Sequence, residues 1–158
     1  MKDKYYIAYG SNLNVNQMRM RCPDAEIVGK GFINDYELLF KGSRTGSYLT
    51  IEKKKGGKVP IGIWKVSEND ELNLDRYEGY PTFYYKTLVN VKTDEKEITA
   101  FVYIMHEDRE CGVPSEYYVS VCKEGYEAFS FDKRYIINAI KRSKERYLDT
   151  IRTLKCKK

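Results

Sequence analysis

Two short stretches hold residue types at spacings suited to chemistry. The first is Tyr9-Gly10-Ser11-Asn12-Leu13 within "YIAYGSNLN", where an apolar run of strand type stops at Gly10. Gly10 permits close backbone approach or a positive φ. Ser11 and Asn12 add short polar side chains, and successive N–H groups in a strand-to-helix loop can cup an anion. Asn14 and Gln17 stand at capping-box spacing, so a helix starting there would turn its positive end toward the same place. A capped turn with no ligand accounts for these residues equally well.

The second stretch is "LDRYEGYP", residues 74–81, with Glu78 just before Gly79. Gly79 is a good helix-stop residue, which puts Glu78 in the last turn of a helix. That end carries partial negative charge and disfavours a carboxylate. Burial between Tyr77 and Tyr80 would add desolvation. Both effects raise a glutamate's pKa and make it usable as an acid as well as a base. An ordinary exposed glutamate is the plain alternative.

Other catalytic arrangements find little support. There is no GxxxxGK[ST] loop and no GxGxxG after the first strand. The only histidine, His106, precedes "EDRE" and reads as a loop residue rather than a catalytic base. Cys22, Cys111, Cys122 and Cys156 are scattered, without the close pairs of a zinc site, so no metal is expected. Isolated cysteines, with no leader-like segment at the N-terminus, point to a reducing cytoplasmic setting. No apolar run approaches the ~20 residues of a membrane span.

The elements that must position these groups follow from pattern. Residues 4–9 read as a strand and 15–22 as a short helix. Residues 36–40 and 47–52 read as strands around the loop "GSRTGS". "KKKGGK", 53–58, reads as a hairpin tip, and 59–66 as a central strand complicated by Pro60. Ser67 and Asp70 cap a helix ending at Gly79. Residues 83–93 and 97–105 form a hairpin. "GVPSEYYVSVCKEG" carries a Pro-Ser helix start and a stop at Gly125. Asp132 caps a final helix with the apolar stripe Ile136, Ile140, Tyr147, Ile151, Leu154. The order lacks regular βαβ alternation, so the fold class is α+β, with a mixed, mostly antiparallel sheet that could close into a barrel.

The 158 residues suit one domain, read as 1–143, with 144–158 a basic C-terminal helix extension of the same domain. Hydrophobic residues at 42% and aromatics at 14% exclude a disordered chain despite 32% charged residues. The 15 tyrosines suit strands and a pocket with polar-tipped walls. The net charge of +5 concentrates toward the C-terminus, and reads as a solvated helix face rather than a nucleic-acid or membrane surface.

Taken together, "YGSNL" after the first strand, "GIWKVS", "LDRYEGYP" and a downstream "PSEYY" resemble the gamma-glutamylcyclotransferase superfamily, from about Tyr6 to Ile140. The resemblance implies a mixed β-barrel with peripheral helices. It implies cofactor-free release of an amine or amino acid from a gamma-glutamyl compound, with formation of 5-oxoproline. It implies Glu78 as catalytic acid/base, and Tyr9, Gly10, Ser11, Asn12, Leu13 and Tyr118 as substrate-binding residues. Tyr117 is an alternative register for Tyr118. The expected partner is a small gamma-glutamyl molecule, with neither nucleic acid nor membrane. A homodimer is left open. Residues 41–47, with Arg44, and residues 80–85 are expected specificity walls, and Tyr135 a further candidate. A binding protein of the same fold without turnover is the rival class.

Overall fold

The computed structural model describes residues 4–156. Five strands, β1 (Lys4–Ala8), β2 (Glu26–Lys41), β3 (Tyr48–Val66), β4 (Tyr84–Lys92) and β5 (Glu97–Met105), form one sheet in the order β2-β3-β1-β5-β4. Neighbours are antiparallel except β1 and β5, which run parallel. Four helices flank the sheet: α1 (Val15–Arg21), α2 (Glu68–Glu78), α3 (Glu116–Ala128) and α4 (Arg134–Cys156). The α+β class and the mixed, mostly antiparallel sheet therefore stand. The expected barrel is not closed, because the hydrogen-bonded order ends at β2 and β4. These two edges come close to each other, and a side chain on Gly31 would meet the Lys92 carbonyl oxygen at 3.2 Å.

The largest departure from pattern lies in β2 and β3. "KKKGGK" is no hairpin tip; it lies inside β3, which pairs with β2 along nearly its whole length, and the reversal is the glycine-flanked loop 42–47. The two glycines bend the ribbon instead of reversing it. Gly56, at φ +81, donates its N–H to Asp35 Oδ1 at 3.0 Å, across a bulge where Asp35 itself adopts φ 63. A Cβ on Gly57 would lie 2.4 Å from the Tyr36 carbonyl oxygen. Pro60 is tolerated in β3 because the β1 ladder ends at Ala8–Gly62, leaving Pro60 only β2 as a neighbour.

The core lies between the sheet and its helices, around Ile7, Leu13, Phe40, Ile51, Ile63 and Tyr126, all fully buried. The helix ends obey their local chemistry. Asn14 Oδ1 accepts from Gln17 N–H, Ser67 and Asp70 complete a reciprocal capping box, and Gly79 leaves α2 in the left-handed region. Gly125 does not stop α3. It sits within the helix because a Cβ there would lie 2.6 Å from the Leu13 carbonyl carbon and 2.7 Å from the Asn14 nitrogen.

The final helix buries Ile136, Ala139 and Ser143, not the whole expected stripe; Leu154 is exposed. Polar contacts dock it: Phe40 N–H donates to Ser143 Oγ at 2.8 Å, Arg142 donates to the Leu38 carbonyl, and Arg146 pairs with buried Glu37 at 2.6 Å. Part of the basic C-terminal charge thus serves packing. Lys157 and Lys158 lie outside the described residues.

Candidate active site

One cavity of about 350 Å³ collects most of the residues expected from sequence. Tyr9, Gly10, Ser11 and Asn12 from the β1–α1 connection, Glu78 from the end of α2, and Tyr118 from α3 all line it. The size falls at the lower end of small-molecule sites. Tyr118 rather than Tyr117 faces in, since Tyr117 is largely exposed while the Tyr118 hydroxyl accepts from Leu49 N–H at 3.1 Å. Leu13 does not line the cavity; it is buried against the faces of Gly62 and Gly125 and anchors the turn from behind.

The turn Ser11–Leu13 is a single 3-10 turn. Leu13 and Asn14 N–H close it onto the Gly10 and Ser11 carbonyls at 3.0 Å. The N–H groups of Gly10, Ser11 and Asn12 have no acceptor among the described residues, as expected for the first donors of a helical turn. Gly10 lets the turn sit close to its neighbours, since a Cβ there would press on the Leu49 side chain at 3.2 Å and touch the Tyr118 hydroxyl at 3.5 Å. The α1 terminus does not face the cavity as expected: Asn14 is buried away from it, with its amide donating to Glu124 and the Val121 carbonyl. The free donors belong to the 3-10 turn alone.

Glu78 points its carboxyl group into the cavity. Asn12 Nδ2 is the polar neighbour, at a long 3.5 Å. The residue as a whole is half-buried, and its carboxyl group is enclosed by the cavity walls. Burial pushes its pKa up from 4.5 to about 8, opposed by the Arg21 guanidinium. The phenols around it are raised as well, chiefly by burial, so they remain neutral donors.

Each wall is held by its own hydrogen bond. Tyr9 Oη donates to the Tyr103 carbonyl at 2.7 Å, and Tyr84 Oη donates to the Leu49 carbonyl at 2.8 Å. Tyr103 Oη donates to Asp75 at 2.5 Å, and Lys86 pairs with Asp75 at 2.9 Å and with Glu71 at 2.7 Å. Sequence reasoning did not single out Tyr6, Tyr48, Leu49 or Tyr103; the abundance of tyrosine was the only signal. The stretch 80–85 contributes Phe83 and Tyr84 to the wall. Residues 41–47 do not line the cavity, and Arg44 is exposed in the hairpin loop. Tyr135 packs near Phe32, away from the cavity. His106 sits outside it too, with Nε2 2.8 Å from the Pro81 carbonyl oxygen. Among the described residues no group of three potential ligands could hold a metal ion, the cysteines are unpaired, and no helix is long and apolar enough to cross a membrane.

A family model described as gamma-glutamyl cyclotransferase, AIG2-like, matches residues 6–120, the segment that builds β1 through the start of α3 and contains every residue around the carboxyl group of Glu78. The chain belongs to this family. Gamma-glutamylcyclotransferase of Homo sapiens is 34% identical over 73% of this chain and 66% of that protein. The mouse protein of the same name is 30% identical over 82% of this chain and 73% of its own length. The chain spans 66% and 58% of the human and bovine relatives. A solved structure named gamma-glutamyl cyclotransferase superimposes with a TM-score of 0.78 at 28% identity, covering 87% of this chain and 86% of that one. YkqA from Bacillus subtilis shares the fold, with a TM-score of 0.74 at 18% identity, covering 91% of this chain and 55% of its own.

Proposed function

We propose that the chain is a gamma-glutamyl cyclotransferase that closes the gamma-glutamyl group of a small substrate into 5-oxoproline and releases the attached amine or amino acid. The observation that carries this reading is a single enclosed carboxyl group, Glu78, in one cavity with Gly10, Ser11 and Asn12, whose backbone N–H groups have no acceptor among the described residues. The names of the relatives point the same way.

In this reading the substrate's α-ammonium gives a proton to the Glu78 carboxylate. The freed nitrogen lone pair attacks the γ-carbonyl carbon, and the carbonyl π pair moves onto oxygen. When that oxyanion collapses, the bond to the leaving nitrogen breaks, and Glu78 returns the proton to that nitrogen. Ring closure is intramolecular, so holding the glutamyl chain folded between the tyrosine walls supplies much of the acceleration. The N–H groups of Gly10, Ser11 and Asn12 hold the substrate carboxylate or the oxyanion; one such donor typically contributes about 3 kcal/mol to the barrier. Tyr9 and Tyr118 shape the walls, and Leu13 supports the turn.

A carboxyl group with a pKa of about 8 is mostly protonated at pH 7 in the empty site. The base form that starts the reaction therefore grows as pH rises. We expect kcat/KM to climb with near-unit slope between about pH 6 and 8 and then level off. A flat profile over that range would count against Glu78 as the base.

The test of function is a panel of gamma-glutamyl amino acids and gamma-glutamylamines, assayed for 5-oxoproline. Release from at least one class supports the reading. Tight binding without release across the panel would favour a binding protein instead. Residues 1–143 are taken as the domain and 144–158 as its extension, consistent with α4 running unbroken across that point. The near contact of Gly31 with Lys92 supports reading the sheet as an almost closed barrel. A cytoplasmic setting accords with the unpaired cysteines.

A further inference from the structure

Resting on the reading of Glu78 as the proton carrier, we propose that Arg21 is a positioning residue that fixes the rotation of the Asn12 side-chain amide, so that its N–H donor faces the Glu78 carboxyl group.

The local groups around Asn12 do not choose that rotation by themselves. Nδ2 lies 2.9 Å from Tyr6 Oη and 3.5 Å from Glu78 Oε1. If the amide turned over, Oδ1 would accept from the Tyr6 hydroxyl, which can donate or accept, and from a protonated Glu78, which can donate. Both rotations would be satisfied on that side. Arg21 breaks the tie. A guanidinium has donors only, and Arg21 Nη1 donates to Asn12 Oδ1, so the oxygen must face α1 and the nitrogen must face the cavity. The Asn12 backbone is pinned too, since its carbonyl accepts from Trp64 Nε1 at 3.1 Å.

Arg21 is itself held on three sides. Nη2 donates to Gln17 Oε1 at 3.2 Å, one turn back on α1. The guanidinium carbon lies 3.4 Å from the centroid of the Tyr77 ring, a stacked cation–π arrangement. The Tyr77 hydroxyl in turn lies 2.9 Å from Ser11 Oγ. The planar fork thus joins α1, α2 and the 3-10 turn, a geometry that lysine cannot reproduce.

The consequence falls on Glu78. A fixed N–H donor and a nearby cation both favour the carboxylate, whereas a flipped amide would favour the neutral acid. The other groups around Glu78 are the phenols of Tyr77 on its own helix and of Tyr6, Tyr9, Tyr84, Tyr103 and Tyr118 from the elements packed against it, all held neutral by raised pKa values. Arg76 lines the exposed mouth of the cavity. Arg21 is therefore the cation that opposes desolvation at the carboxyl group.

The test is a carbon-13 NMR titration of glutamate carboxyl-labelled protein, with the Glu78 signal assigned by its loss in Glu78→Gln. In the wild-type chain the midpoint is expected near 8. In Arg21→Met it should rise by about one unit. If Arg21→Met does not fold, Arg21→Lys carries the test, since it keeps the charge but not the planar fork that holds Asn12 Oδ1; its midpoint should also rise. An unchanged midpoint in the folded variant overturns the proposal. In the 5-oxoproline assay, Arg21→Met should lose about tenfold in kcat/KM at pH 7 and recover toward wild type above pH 9. An equal loss at every pH marks a merely structural arginine and also overturns it. In an Asn12→Ala background the same Arg21 substitution should shift the midpoint by less. An equal shift in both backgrounds marks a direct charge effect and overturns the positioning role. A smaller one in a chain that forms no 5-oxoproline would sink the catalytic reading and leave the positioning of Asn12 standing.

Discussion

Glu78→Gln should lower 5-oxoproline formation by about 10³-fold or more while making the protein more stable at pH 8. Both effects come from one carboxyl group in an enclosed cavity. The glutamine keeps the shape but can neither take the proton from the α-ammonium nor return it to the leaving nitrogen. General acid–base assistance is commonly worth about 10²–10⁴-fold, and here one residue would provide it twice in each turnover. The stability gain follows from linkage. Below the ordinary value of 4.5 both folded and unfolded Glu78 are protonated, and the group is neutral in the balance. Between 4.5 and about 8 the unfolded chain releases the proton while the folded chain retains it, so rising pH costs the wild type stability. Above 8 the penalty is constant. Glutamine does not titrate, so the variant should match the wild type near pH 4 and exceed it at pH 8. Water reaching the cavity mouth reduces the effect to on the order of 2 kcal/mol, or roughly 4–8 °C in Tm. Thermal melts at the two pH values measure the difference. A variant less stable than wild type at pH 8 would show that Glu78 has stabilising partners not seen around it.

Gly125→Ala should be the most damaging single-methyl change near the site, although Gly125 does not line the cavity. Its Cβ would lie 2.6 Å from a backbone carbon and 2.7 Å from a backbone nitrogen of the turn that carries Ser11 and Asn12. Backbone cannot step aside as a flexible side chain can. Either α3 withdraws, loosening Tyr118 and Tyr126, or the 3-10 turn shifts and moves its free N–H groups. Overpacking of this kind costs about 1–3 kcal/mol, which corresponds to roughly 3–10 °C in Tm. A displacement near 1 Å at the oxyanion donors can cost about 10²-fold in rate. Gly29→Ala is the control, since its nearest new contact would be at an ordinary 3.8 Å. If Gly125→Ala melts and turns over like Gly29→Ala, the close approach of α3 to the turn is not what shapes the site.

Much of this site was legible because its signals are local. Gly10, the Asn14 cap, the Ser67–Asp70 box and Gly79 each act within a few residues, and each appears where sequence put it. Glu78 stood out because a carboxylate at a helix C-terminus runs against the local field. The misreadings share a different cause. "KKKGGK" and Gly125 look like punctuation in sequence, but Gly57 and Gly125 serve close approach between segments far apart in the chain, and Gly56 supplies the positive φ of a bulge. Glycine has the same local signature in a turn and under a crowded backbone, and only the partner distinguishes them.

The sequence by itself determined the family, the α+β class, the polar turn after β1 and the identity of the one carboxylate at odds with its helix. Those follow from propensity, capping and motif, which are short-range properties. The tertiary structure decided that Tyr118 rather than Tyr117 faces inward, that Leu13 points away, that the sheet stays open between β2 and β4, and that Arg21 reaches Asn12. Those depend on burial and on hydrogen-bond direction between elements distant in sequence. The elevated pKa of Glu78 was expected in direction from sequence, but its cause is desolvation by walls drawn from β1, β3, β4, β5 and α3.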